Sequence, residues 1–339
     1  METRKIKLNI VSGTAGTGFA QHAALVRECL PHRFDVRTDS REDSDIVHYY
    51  TIDPVFFASI IQKGVRHAGK SVCTALITPE SATRRNDLPL PLKWCLGKYM
   101  MQFYRTVNML TVNNPLLASE LVRGGISADK IRYIPVPVSK ELFHELTPHD
   151  RLSLRDKYGI GGGDFVVVGA GRLARKCGIA DFVESARICS DMTFVWAGDF
   201  GLSDGFVPDT KLDDVKRAVD GAPDNVKFIG ALPREHMNEI WGIADVCFLP
   251  TGEPQFPYAA VSAMCAGIPV LVRDLPFYSD VMFDYYISES TLGGFTEQLS
   301  CLKNDPVYYT NAADTAALGS KFYRKDNVVK LWGDLYADL

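Results

Sequence analysis

Apolar and polar positions along the chain follow two alternating patterns: short β-branched runs, and longer segments in which apolar residues return every three or four positions. The first reads as buried strands and the second as amphipathic helices, so their alternation predicts parallel sheets covered by helices on both faces. Strands are expected at 8–12, 35–38, 45–50, 72–77, 109–113 and 132–135, and again at 165–170, 193–197, 226–229, 246–249, 269–272 and 286–287. Between the two sets, IPVPV at 134–138 carries two prolines, which keep the preceding residues extended and end the first sheet. At 339 residues the chain is too long for one ordinary core. The prediction is α/β: two Rossmann-like, doubly wound domains, 1–138 and 139–318, facing across a cleft. A C-terminal segment, 319–339, carries Val328, Leu331, Trp332 and Leu335 on one helical face and is expected at the domain junction.

Composition narrows the class. Apolar residues make up 46% and charged residues 23%, the balance of a soluble globular protein. No stretch approaches the roughly 18 uninterrupted apolar residues of a membrane span. The opening METRKIKLNIVSG has no long apolar h-region, so a cytoplasmic protein is expected. The eight cysteines are scattered without a C-x-x-C pair, and the seven histidines are equally dispersed, so buried free thiols and no metal are expected. Charge is uneven: 19 Lys and Arg against 15 Asp and Glu over 1–150, but 18 against 26 over 151–339. The first half is the one expected to face anions. No nucleic-acid partner is expected.

The candidate chemistry begins at FVVVGAGRL, 165–173, a buried strand that ends in glycines and delivers Arg172 just past its carboxyl end. Gly171 permits close backbone approach, and an arginine fork can grip a diphosphate, with Lys176 as a second cation. A tight turn with solvated Arg172, Arg175 and Lys176 is the competing reading. VKFIGA at 226–231 is a strand leading into a turn where backbone groups of Ile229 and Gly230 can read a nucleobase edge. A loop at 251–258, ending in Tyr258, precedes a helix at 259–266 whose amino end offers unpaired amides to a diphosphate. GTAGTG at 13–18 follows the first strand, and Gly16 and Gly18 allow close approach to a donor phosphate or an acceptor sugar; a plain turn accounts for it equally.

In the first half, 92–110 has helical period, with Leu92, Leu96, Tyr99, Phe103 and Val107 facing inward. The far face sets Trp94 and Met101 among Lys98 and Arg105; no acid occurs from 88 to 119, and Arg84 and Arg85 lie upstream. Cations interleaved with large apolar groups suit an anionic bilayer surface. The alternative is an ordinary surface helix with Trp94 under a neighbouring loop. His48 is a candidate base or sugar ligand, or a structural histidine. Glu80 is placed to contact an acceptor hydroxyl or to cap 81–85.

These segments together resemble a family 4 glycosyltransferase of the GT-B fold, nearest to the diglycosyl-diacylglycerol synthases of Gram-positive bacteria. The likeness rests on FVWAG at 194–198, NVKFIG at 225–230, Ala244 and Asp245, Phe256 and Pro257, Ala263 and Met264, and GIPVLVRDL at 267–275 with Tyr278. TIDP at 51–54, Asn114 and Pro115, and IRYIP at 131–135 extend it through the first half. The resemblance implies retaining transfer of a hexose from a UDP-sugar to a lipid-linked hydroxyl such as monoglycosyl-diacylglycerol. It further implies a peripheral protein at the inner face of the cell membrane, with cations rather than a metal stabilising the leaving diphosphate. Phe256, Pro257 and Tyr258 fall in the family's donor-binding loop. Arg172 matches the family arginine, whereas the family lysine falls on Cys177, with Lys176 one residue early. The glutamates of the family's E-x7-E pair fall on Pro254 and Ser262, with Glu253 one residue early, and a family histidine falls on Leu76. Glu253 is then the expected contact to the donor sugar, and Ser262 offers one hydrogen bond to a ribose hydroxyl. Two further readings differ in class: a catalytically silent relative that docks on a partner glycosyltransferase or a glycan, and a transferase acting on a soluble acceptor, which predicts no binding to anionic vesicles.

Overall fold

The computed structural model describes residues 5–11, 23, 26–27, 30, 34–38, 43–66, 69–75, 89–138, 146–200, 212–232, 236–252 and 257–339. Within them the chain forms two six-stranded sheets, parallel throughout. The first is built from β1 (Ile6–Val11), β2 (Phe34–Thr38), β3 (Ile46–Tyr49), α1 (Pro54–Arg66), β4 (Lys70–Ala75), α2 (Leu90–Thr106), β5 (Met109–Val112), α3 (Pro115–Arg123) and β6 (Ile131–Tyr133), in strand order β2-β1-β3-β4-β5-β6. The second follows α4 (Pro148–Lys157) and contains β7 (Val166–Ala170), α5 (Ile179–Ile188), β8 (Thr193–Ala197), α6 (Leu212–Asp220), β9 (Val226–Phe228), α7 (Met237–Ile243) and β10 (Val246–Leu249). It continues through α8 (Tyr258–Cys265), β11 (Val270–Arg273), α9 (Pro276–Met282), β12 (Ile287–Glu289), α10 (Leu292–Asn304) and α11 (Pro306–Ser320), in strand order β12-β11-β10-β7-β8-β9. This is the doubly wound α/β class that the alternating pattern predicts.

Alternation along each strand feeds two faces. Ile46 and Val72 join one apolar cluster with Leu8 and Ile10, while their neighbours Val47 and Cys73 join another with Phe103 and Leu110. The strand expected at 286–287 begins one residue later, because Phe283 and Asp284 take left-handed φ of 53° and 60° and turn the chain out of α9 first.

The chain divides into two compact units, Met1–Pro137 with Lys325–Leu339, and Val138–Arg324. The last helix, α12 (Lys325–Ala337), therefore belongs to the first unit, where Val328, Trp332, Leu335 and Tyr336 share a core with Leu8, Ile10 and Ile46. A buried polar chain fastens it. His48 Nδ1 lies 2.6 Å from the Tyr336 hydroxyl, His48 Nε2 lies 2.7 Å from Thr74 Oγ1, and Thr74 Oγ1 lies 2.7 Å from Thr111 Oγ1. His48 is wholly buried, which corrects its candidacy as a base or sugar ligand: both ring nitrogens are committed inside the core.

α2 is also corrected in part. Phe103 and Val107 are buried and Leu96 and Tyr99 half-buried as expected, but Leu92 is 53% exposed and stands with Trp94 beyond the core. Met101 turns inward instead of facing solvent, into space left by Gly124, where a Cβ would meet the Met101 methyl at 2.9 Å. Arg105 stays exposed but holds the Gly124 carbonyl at 3.0 Å, so it caps α3.

In the second unit, α4 is tied to the sheet by one carboxylate. Asp245 accepts from Arg151 Nη2 at 2.5 Å, from Arg155 Nη2 at 2.7 Å and from the Val166 amide at 2.7 Å. Glu239 makes a second tie, to Lys157 Nζ at 2.6 Å, the Tyr158 hydroxyl at 2.8 Å and His236 Nδ1 at 2.9 Å. The Lys157 hydrogen bond foremost, with those from His236 and Tyr158, lowers its pKa from 4.5 to about 2. A carboxylate depressed on folding stabilises fully above its unfolded pKa and loses that contribution as pH falls through the folded value. Acid unfolding followed from pH 6 to pH 2 should therefore be less steep below about pH 4.5 in Glu239→Gln than in the parent. Equal slopes would show that the tie does not couple to folding.

Candidate donor site

Ligands in doubly wound sheets lie beyond the carboxyl ends of the strands, and the second unit has a cavity of about 440 Å³ there. Its floor is bare backbone. Gly171 and Gly198 end β7 and β8 at φ of 144° and 149°, and a Cβ on Gly198 would fall 1.8 Å from the Gly171 carbonyl oxygen. The Gly171 amide donates to Ala197 O at 2.9 Å, Trp196 Nε1 donates to Gly171 O at 2.9 Å, and the Gly198 amide donates to Gly230 O at 2.8 Å. These bonds lock the two strand ends side by side.

Around that floor stand Arg172, Asp199, Thr251, Pro257, Tyr258 and Tyr278. Arg172 follows directly on the glycine turn and is half-buried. Asp199 is set by its own carbonyl, which accepts the Leu173 amide at 2.7 Å and folds the two loops together. Pro257 caps α8, so the first-turn amides at Tyr258 and Ala259 meet the cavity at the positive end of a helix. Tyr278 faces the cavity beside Thr251, and burial pushes its pKa up to about 12, so it remains neutral at physiological pH.

Of the residues singled out from the sequence, Gly171, Arg172, Pro257 and Tyr258 therefore converge on one cavity. Others do not. Ser262 is wholly buried and its hydroxyl donates back to Tyr258 O at 2.8 Å, one turn earlier, which corrects its expected role on a ribose. The Ile229 amide is committed to Trp196 O at 3.1 Å and the Gly230 carbonyl to Gly198, so the wall passes to Ala231 and Leu232. Lys176 sits in a 3-10 turn, Arg175–Cys177, outside the residues lining the cavity, and its carbonyl accepts the Gly252 amide at 3.0 Å. Cys177, where the family lysine aligns, is buried in the cavity wall. Gly16, Gly18, Leu76, Glu80, Arg84, Arg85, Glu253, Pro254 and Phe256 lie outside the described residues.

Asp199 and Thr251 carried no motif of their own in the sequence. Their signal was position: each lies just past a buried strand, in FVWAGD and VCFLPT. Tyr278 was visible as part of the RDLPFY stretch without a role attached to it.

Among the described residues no helix is long and apolar enough to cross a membrane. Residues 150–291 match the family described as Glycosyl transferases group 1. The chain is 28% identical over 346 residues, 99% of its length and 90% of the relative's, to an alpha-galactosylglucosyldiacylglycerol synthase of Streptococcus pneumoniae. It is 24% identical over 265 residues, 74% of its length and 63% of the relative's, to an alpha-monoglucosyldiacylglycerol synthase of Acholeplasma laidlawii. Among solved structures, Anabaena HepE in complex with UDP and glucose superposes with a TM-score of 0.76 at 13% identity, covering 98% of this chain and 100% of that one. The cavity at the carboxyl ends of β7, β8 and β10 thus lies within the residues that match Glycosyl transferases group 1, in a chain of the GT-B fold.

Proposed function

We propose that the protein transfers a hexose from a UDP-sugar, with retention of anomeric configuration, to a glycosyl-diacylglycerol. The observation that carries this reading is the convergence of Arg172, the bare glycine strand ends and the amino end of α8 on one cavity. A glycosyl bond to UDP breaks with negative charge growing on the diphosphate. A guanidinium and fixed amides directed at that charge act on the transition state more than on the ground state. In this reading they do so without a metal, with Lys176 as a second cation and Glu253 as the carboxylate that orients the donor sugar. The similarity over nearly the whole chain to the pneumococcal synthase supports a glycolipid acceptor.

The acceptor side rests on α2. Trp94 is 62% exposed, and the Lys98 ammonium lies 3.7 Å from its ring centroid, so an aromatic and a cation are presented together on a helix without acids. We place the protein at the inner face of the cell membrane through this helix. Trp94→Ala combined with Lys98→Ala should weaken binding to anionic vesicles by roughly tenfold without changing UDP affinity. Unchanged sedimentation with vesicles would remove α2 from the docking surface.

The reaction is tested by NMR of the product formed from UDP-glucose or UDP-galactose on vesicles carrying an α-monoglycosyl lipid. An α-linked second sugar supports retention, and a β-linked one rejects it. A second reading, a silent relative that binds donor without turnover, draws on the burial of Ser262 and Cys177, where the family has a glutamate and a lysine. It predicts UDP binding with no product of either anomer.

A further inference from the structure

The second unit has another cavity, of about 340 Å³, at the amino ends of β10 and β11, away from the strand ends that hold Arg172. Leu146 and Ile268 give it an apolar wall, Gly267 an open stretch of backbone, and Arg151, Asn238 and Trp241 its polar and aromatic sides. Among the described residues no carboxylate lines it.

The donors on these walls are underused. Arg151 commits Nη2 to Ala244 O at 3.0 Å and to Asp245 at 2.5 Å, but its Nε and Nη1 have no partner among the described residues. The Asn238 amide has none among them either, and Trp241 is 1% exposed with no partner for its indole N–H. Trp241 holds a buried donor, which costs about 1–3 kcal/mol to leave unsatisfied, and Arg151 and Asn238, each partly open to solvent, add unpaired donors at the same cavity; together they mark a place where an acceptor-bearing group fits. Charge agrees: Arg151 and Arg155 share the single Asp245 carboxylate, which leaves a positive excess beside the cavity. Gly267, at φ of 73°, has nothing within 4 Å of where a Cβ would sit, so its backbone is open to a ligand.

We propose that this cavity binds a phosphate group, held by Arg151 and Asn238, with a short glyceryl or polyol body against Leu146 and Ile268. It is a second site, separate from the donor cavity, and its occupancy does not depend on the proposed transfer.

The test is calorimetric titration of the full chain, saturated with UDP so that the Arg172 site is filled, with two probes. Inorganic phosphate represents a free anion; dihexanoyl-phosphatidylglycerol below its micelle concentration represents a lipid headgroup. Saturable binding is expected for at least one, and which of them binds identifies the source. Asn238→Ala should weaken it by about tenfold, the size of a charge-assisted hydrogen bond. Ala266→Met, which fills the cavity, should abolish it while UDP binding persists. If the methionine variant fails to fold, Asn238→Ala decides alone, since that amide holds no partner among the described residues. No saturable binding of either probe, or binding that Asn238→Ala leaves unchanged, overturns the proposal; the latter would mark surface anion binding.

Discussion

Arg172→Ala should lower kcat/KM for hexosyl transfer by roughly a hundred- to a thousandfold, the cost of removing one placed donor from a developing oxyanion. The loss should fall mainly on kcat, because the diphosphate gains negative charge only as the glycosyl bond opens. Arg172 reaches the cavity because the strand before it ends in Gly171, whose backbone lies against Ala197 and Trp196 with no side chain between. Arg172→Lys should recover part of the rate, since a lysine restores the charge but not the two-pronged geometry. Steady-state kinetics with both variants decide the matter: a rise in KM with kcat untouched would make Arg172 a binding residue only.

Asp245→Ala should destabilise the second unit by about 3–5 kcal/mol, the usual cost of removing one partner from a buried ion pair. Arg155 is 4% exposed and would be left with carbonyl partners but no carboxylate, and Arg151 would lose its anion too. The Val166 amide, at the start of the strand that leads to Arg172, would lose its acceptor as well. Asp245→Asn keeps the shape and part of the hydrogen bonding, so it should cost less. Urea unfolding of the two variants checks the order; equal and small losses would mean that solvent replaces the carboxylate.

Much of this architecture was legible in the chain because it depends on period. Runs such as the buried β10, Val246–Leu249, carry no polar interruption and are too short for a helix, which is how a strand buried on both faces reads. Arg172 was legible because a glycine turn after a strand fixes where the next side chain goes. Ser262 was not, because alignment to a family position says nothing about which side of a helix faces a ligand; on α8 that side is the core. For His48 the structural reading held, but its partners were not legible, because Tyr336 and Thr74 lie 288 and 26 residues away. Asp199 and Thr251 were hidden because a cavity gathers loop residues from several strands, and no single segment shows that it contributes.

The measurement that bears most directly on the central claim is mass-spectrometric detection of lipid product. The protein would be incubated with UDP-glucose or UDP-galactose and vesicles of monoglycosyl-diacylglycerol with an anionic phospholipid, beside an active glycolipid synthase as positive control. The account predicts a dihexosyl-diacylglycerol that appears with the parent chain and falls away with Arg172→Ala. Intact vesicle and UDP binding with no dihexosyl lipid, while the control turns over, would contradict it.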